Sequence, residues 1–160
     1  AASSGASNVN GLSDALIEDN SLYLGQDPSS TTSTAEYNLS LGATALDAVT
    51  TGDGNTAVGF NALTANTSGE GNVAIGYNTL AANTTASQNL AMGYNALAIQ
   101  TTDGEYNTAV GNYTLDNNTI GDRNVALGYV ALTAILKVVK ILVLELAHQK
   151  QILQVHKILL

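Results

Sequence analysis

The sequence predicts an all-β protein: a parallel β-solenoid (a β-roll) of coils about 17 residues long, followed by an apolar tail. Three observations carry this. One short pattern recurs down the chain at a near-constant interval. Within it, apolar positions alternate with small or polar ones at period two, which suits a strand and not a helix. Between copies the chain is polar and rich in Gly, Asn, Thr and Ser, the residues of turns. A fixed period is the mark of an architecture in which each unit buries its apolar side only by stacking on the next.

Residues 1–20 form an N-terminal lead-in. Its first residues, AASSGASNVNGLSD, have neither the basic flank nor the apolar stretch of a secretion signal. Met92 is the only Met, so the sequence is expected to be a fragment or a processed product.

Residues 21–134 are the repeat domain. NLSLGATAL starts at Asn38, NTAVGFNAL at Asn55, NVAIGYNTL at Asn72, NLAMGYNAL at Asn89, NTAVGNYTL at Asn107 and NVALGYVAL at Asn124. The successive intervals are 17, 17, 17, 18 and 17 residues, and a weaker copy, SLYLGQD, starts at Ser21. The first column holds only Asn, and stacked amides can bond from coil to coil as a ladder. The third column is small: Ser40, Ala57, Ala74, Ala91, Ala109 and Ala126. The fourth is apolar: Leu41, Val58, Ile75, Met92, Val110 and Leu127. The fifth is always glycine (Gly42, Gly59, Gly76, Gly93, Gly111, Gly128), which points to positive φ or a close backbone approach. The ninth is always leucine (Leu46, Leu63, Leu80, Leu97, Leu115, Leu132).

Each coil is therefore expected to hold two short extended stretches joined by turns, stacked about 4.8 Å apart. Columns four and nine are expected to supply the core, one large side chain each per coil, which is lean for a freestanding solenoid. Association of several chains along the axis would bury more surface and protect the end coils. Phased apolar columns also argue against a disordered low-complexity segment.

The units NTAVGFNAL and NVAIGYNTL, with linkers such as TANTSGEGN, resemble the head repeats of trimeric YadA-like adhesins, and more closely the repeats of phage tail-fibre proteins. Residues 12–32, LSDALIEDNSLYLGQDPSSTT, resemble the lead-in to such repeats. The resemblance covers residues 12–134. It implies a homotrimeric, left-handed β-roll in the tail fibre of a virion, attaching to a glycan or protein receptor on a host cell. The adhesin heads have shorter units than those seen here. The alternatives are the head of a bacterial trimeric adhesin at the cell surface, binding matrix or cells, and a tail-associated glycan hydrolase.

Residues 135–160, ILKVVKILVLELAHQKQILQVHKILL, break with everything before them. They hold all four Lys, both His and Glu145, and no Gly or Asn. As written they read as a helix over about 135–159, but Lys137, Lys140 and Glu145 interrupt any membrane span. A second reading is a frameshift. Ile-Leu occurs at 135, 141, 152 and 158, at the repeat's own Asn intervals of 6, 11 and 6. Asn-Thr encoded AAT-ACT becomes ATA-CTN, Ile-Leu, one base out of frame. On that reading the tail's His and Lys serve no selected role.

Charge and composition narrow the function classes. The net charge is −8, with Arg123 the only base before residue 135, which argues against nucleic acid. There is no Cys, so no disulfide scaffold, thiolate zinc site or cysteine nucleophile. Residues 1–134 lack His and Lys as well, and no base stands beside a nucleophile, so no catalytic residue, cofactor or metal is expected and the chain is read as a non-enzyme. Asp53, Glu70, Glu105 and Asp122 recur in one turn and are expected to line an edge as solvated charges, without the Asp/Gly spacing of calcium-binding repeats. Phe60, Tyr77, Tyr94 and Tyr129 follow the glycine, with Ala43 and Asn112 breaking the column; they suit packing against a neighbouring chain or stacking on sugars. Thr67, Thr84 and Thr119 do not make the Thr-x-Thr file of an ice-binding face. Asn-x-Ser/Thr triplets at Asn38, Asn66, Asn83, Asn112 and Asn117 follow from composition and take glycans only in a eukaryotic secretory setting.

Overall fold

A computed structural model describes residues 15–18, 20–25, 34–100, 102–133 and 142–144. The strands are β1 (Ala15–Glu18), β2 (Ser21–Gly25), β3 (Leu39–Gly42), β4 (Thr56–Val58), β5 (Val73–Ile75), β6 (Leu90–Met92), β7 (Thr108–Val110), β8 (Val125–Leu127) and β9 (Leu142–Leu144). They form one sheet in strictly sequential order. From β2 onward every pairing is parallel, and Ala57↔Ala74 and Ala74↔Ala91 show the register: each residue pairs with its counterpart in the next copy. This is the β-solenoid the repeat predicts. β1 is the exception, running antiparallel to β2 with Ala15 opposite Leu24.

Each coil carries one strand, not two. The chain's return pass is assigned no strand, yet it is bonded from coil to coil: Thr50 N–H donates to the Thr67 carbonyl at 2.9 Å, and Thr67 N–H to that of Thr84 at 2.9 Å. In the tail, residues 142–144 are extended and not helical; the remainder of 135–160, apart from those three, lies outside the described residues.

The direction of the strands corrects the expected core. Column three faces inward: Ala57, Ala74, Ala91, Ala109 and Ala126 are fully buried. Column four faces outward, and Leu41 and Leu127 remain 48% and 45% exposed. Period two separates two faces of a strand without saying which is inside. The Leu of column nine enters from the far side, and from β3 to β8 only Ser or Ala stands in column three opposite it; in β2 that place holds Tyr23, which is buried too. Leu46, Leu63, Leu80, Leu97 and Leu115 are buried, with Leu132 packed against them.

Those leucines sit where leucine rarely does. From Leu46 to Leu132 they have φ between 50° and 55°, the left-handed region, at a cost of about 1–3 kcal/mol each. Two backbone bonds hold each one from Leu46 to Leu115. Leu63 N–H donates to the Thr79 carbonyl of the next coil at 3.0 Å, and the Leu63 carbonyl accepts from Asn66 N–H at 3.0 Å.

The glycine column meets both conditions expected of it. Gly93 has φ 133°, and a Cβ there would lie 2.6 Å from the carbonyl oxygen of Gly111 on the next coil.

The asparagine ladder also forms, but it runs from side chain to backbone. Asn38 Oδ1 accepts from Asn55 N–H at 2.8 Å, and Asn72 Oδ1 from Asn89 N–H at 3.0 Å. In Asn38, Asn55, Asn72 and Asn107 the other end of the amide crosses the coil: Nδ2 of Asn55 donates to the Gly69 carbonyl, and that of Asn72 to the Ala86 carbonyl, both at 2.9 Å, whereas Asn89 Nδ2 turns back to the Ser87 carbonyl. These amides are buried and bonded at both ends, as interior polar groups must be. A second amide column, Asn66, Asn83, Gln100 and Asn118, is equally buried on the return pass.

Candidate functional site: the outer sheet face and its aromatic file

Because column three points inward, columns two and four share the outer face of the sheet. Leu39, Val73, Leu90 and Val125 of column two lie beside Leu41, Val58, Ile75, Met92, Val110 and Leu127 of column four. Thr56 and Thr108 are its polar members, and no charged residue stands in either column from β3 to β8. The face is half-buried to exposed along its length. A continuous uncharged apolar strip of this kind marks an interaction surface more often than bare solvent contact.

One edge of the face carries the aromatics. Phe60 and Tyr77 stack with ring centroids 5.3 Å apart, and Tyr77 and Tyr94 at 4.9 Å with planes within 5°. The file does not stop at Asn112. The order of the two residues is exchanged in that copy, and Tyr113 fills the gap, 5.3 Å from Tyr94 with its plane tilted 56°. Tyr129 meets Tyr113 edge-on at 6.3 Å. Five rings therefore run without interruption, of which the sequence columns marked four. The motif GNYTL beside GYNAL was the available signal.

The exchange has a cost in the adjoining amide column. Asn61 Nδ2 donates to Asn78 Oδ1 at 3.0 Å, and Tyr113 has no amide oxygen to take the corresponding bond from Asn95 Nδ2; Asn95 Oδ1, which faces the preceding coil's place in the series, is buried without a partner. The Tyr113 phenol is pushed above its ordinary pKa, first by desolvation and then by Tyr94 and Tyr129. Inner rings such as Tyr77 lie face to face with their neighbours, so they present edges and hydroxyls outward instead of open faces.

The acidic edge forms as expected, and part of it is structural. Asp53 Oδ1 accepts from Glu36 N–H at 2.8 Å, and Asp122 Oδ1 from Glu105 N–H at 2.9 Å. Glu70 N–H donates instead to Ser87 Oγ at 3.0 Å. Among the described residues, no three acidic or His side chains converge into a group that could hold a metal ion. Arg123 lies over the Tyr106 ring, 5.1 Å from its centroid. Where the longer copy adds its extra residue there is an open depression of about 370 Å³, lined by Thr102, Asp103, Gly104, Glu105, Ile120 and Asp122.

The threonine hydroxyls are engaged as well. Thr50 Oγ1 donates to the Thr67 carbonyl at 2.9 Å, and Thr67 Oγ1 to that of Thr84 at 3.0 Å; Thr119 takes the equivalent place in its coil.

No family model, curated protein or solved structure matches this chain. Among the described residues no helix is long and apolar enough to cross a membrane.

Proposed function

We propose that the protein is a non-enzymatic attachment rod, part of a virion tail fibre, in which three copies pack side by side through the outer sheet face. The observation that carries this is the uncharged apolar strip of columns two and four, bordered by the aromatic file. A single coil buries its column-nine leucine, alanine and amides, so the larger apolar side chains of the outer face gain full burial only against another chain. The number three comes from the resemblance of the repeats to trimeric heads and fibres.

The surface left facing outward after such packing repeats at every coil and in every chain. Contacts to a glycan or protein receptor on the host cell then multiply by effective concentration, and weak individual contacts give firm adhesion. A stiff rod also holds its receptor-binding surfaces away from the virion, which needs no chemistry at the sheet.

Light scattering on the purified full chain tests the assembly: the expected mass is three times 16.4 kDa. A stable monomer over the micromolar range would refute it. Retention of the labelled protein on host cells, lost in a variant that no longer assembles, tests the attachment role.

A further inference from the structure

We infer that residues 135–160 are the solenoid repeat translated one base out of frame, so that the selected protein continues there as further coils and the basic, apolar tail is no binding or membrane element. The first observation is structural. β9 pairs with β8 through Val125↔Leu142, Ala126↔Val143 and Leu127↔Leu144, one repeat further on and in the same phase as the ordinary copies. β9 therefore takes the place that the next coil's strand would take.

That phase assigns every tail position to a column. Ile141 and Ile158 fall on the first Asn column, one and two repeats after Asn124. Ile135 and Ile152 fall on the second amide column, one and two repeats after Asn118. All four are followed by Leu, and no other Ile-Leu pair occurs in the tail. Each such pair arises from Asn-Thr by one shift of frame.

The intervening residues back-read in the same frame. Glu145 stands one repeat after Gly128; its GA preceded by G gives GGA, glycine, at the glycine column. Val138 and Val155 stand one and two repeats after Gly121; each back-reads as Gly or Ser, the small residue whose carbonyl takes the amide bond. Residues 152–158, ILQVHKI, can back-read as NTTGSQN, against NTTASQN at 83–89. A selected helix has no reason to fit these columns, whereas local and global signals agree throughout positions 38–133.

The consequence is functional. On this inference the four Lys and two His carry no selected anion-binding or metal-binding role. In the restored frame the outer strip gains Thr at 142 and can keep Leu at 144, while amides return at 135, 141, 152 and 158.

The coding nucleotides decide the matter. The Ile codons at 135, 141, 152 and 158 are expected to be ATA followed by CTN, and one base restored near codon 134 is expected to yield Asn at all four. ATT or ATC followed by TTA or TTG at these sites overturns the inference. At the protein level, the full chain with the base restored is expected to unfold at a higher urea concentration than the chain as it stands. An equal or lower midpoint counts against it.

Discussion

Gln100 donates a hydrogen bond from Nε2 to the carbonyl oxygen of Gly104, four residues downstream, at 2.5 Å. Its counterparts Asn66, Asn83 and Asn118 reach three residues downstream, to Gly69, Ala86 and Gly121, at 3.0 Å each. The longer copy thus holds its extra residue inside a loop closed by an amide one methylene longer. Gln100 Oε1 also accepts from Asn107 Nδ2 at 3.2 Å and Asn118 Nδ2 at 3.1 Å.

Gln100→Asn is therefore expected to cost about 1–3 kcal/mol, since it strands buried groups at Gly104 and Asn118. Deleting Asp103 alone also destabilises, because Gln100 is then too long. The two changes together make NTTGEYN, close to NTSGEGN at 66–72. Urea unfolding is expected to show the double variant more stable than either single one. Additive losses would contradict the coupling.

Asn72 is bonded at both ends inside the coil, to Asn89 N–H, the Ala86 carbonyl and Asn55 Oδ1. Asn72→Asp keeps the acceptor but removes the donor and buries a charge, a loss on the order of 3 kcal/mol or more at pH 7. Burial raises the folded-state pKa of such a carboxyl, so stability is regained as pH falls and the acid can donate once protonated. A urea series between pH 7 and pH 4 reads the recovery.

Val58→Asp combined with Ile75→Asp places charges on the outer face, where neither side chain contributes to the core. The expected outcome is a folded chain with an unchanged circular dichroism spectrum and a mass of one copy instead of three. An unchanged mass would show that this face is not the interface.

Exchanging Asn112 and Tyr113 back to the common order is expected to stabilise the fold. Asn95 Nδ2 then gains an amide oxygen to donate to in the next coil, as Asn61 Nδ2 has in Asn78, a gain of about 1 kcal/mol. Losing the bond from Tyr94 N–H to Asn112 Oδ1, 2.9 Å and exposed, offsets part of it. Thermal melting measures the difference.

Desolvation lifts the Asp116 carboxyl above its ordinary pKa of 3.8, against bonds from Asn117 that lower it. A raised folded pKa means the ionised group disfavours the fold, so stability falls as pH climbs through that value. Asp116→Asn should thus raise the melting temperature slightly at pH 7, by less than about 0.5 kcal/mol in stability, and leave it unchanged near pH 3.

Much of this was legible in the chain because every coil repeats it. The constant interval set the register, and the constancy of Asn38 to Asn124 and Gly42 to Gly128 announced buried amides and a crowded backbone. The facing of column four was not legible. Alternation sorts Val58 from Ala57, and the usual rule places the larger residue inside. The leucine of column nine, filling the interior from the far side, reverses it. The left-handed Leu63 was hidden too, since leucine carries no local preference for that conformation. Tyr113 escaped because fixed columns do not register a transposed pair.

The reversed first strand has a consequence for how such rods add to one another. Ala15–Glu18 lies against β2 in the opposite direction. The face of β2 that a preceding coil would pair with is thereby occupied in antiparallel phase. The strand acts as a stopper: with β1 in place, a further coil cannot add to β2 in the parallel register that joins β2 to β3.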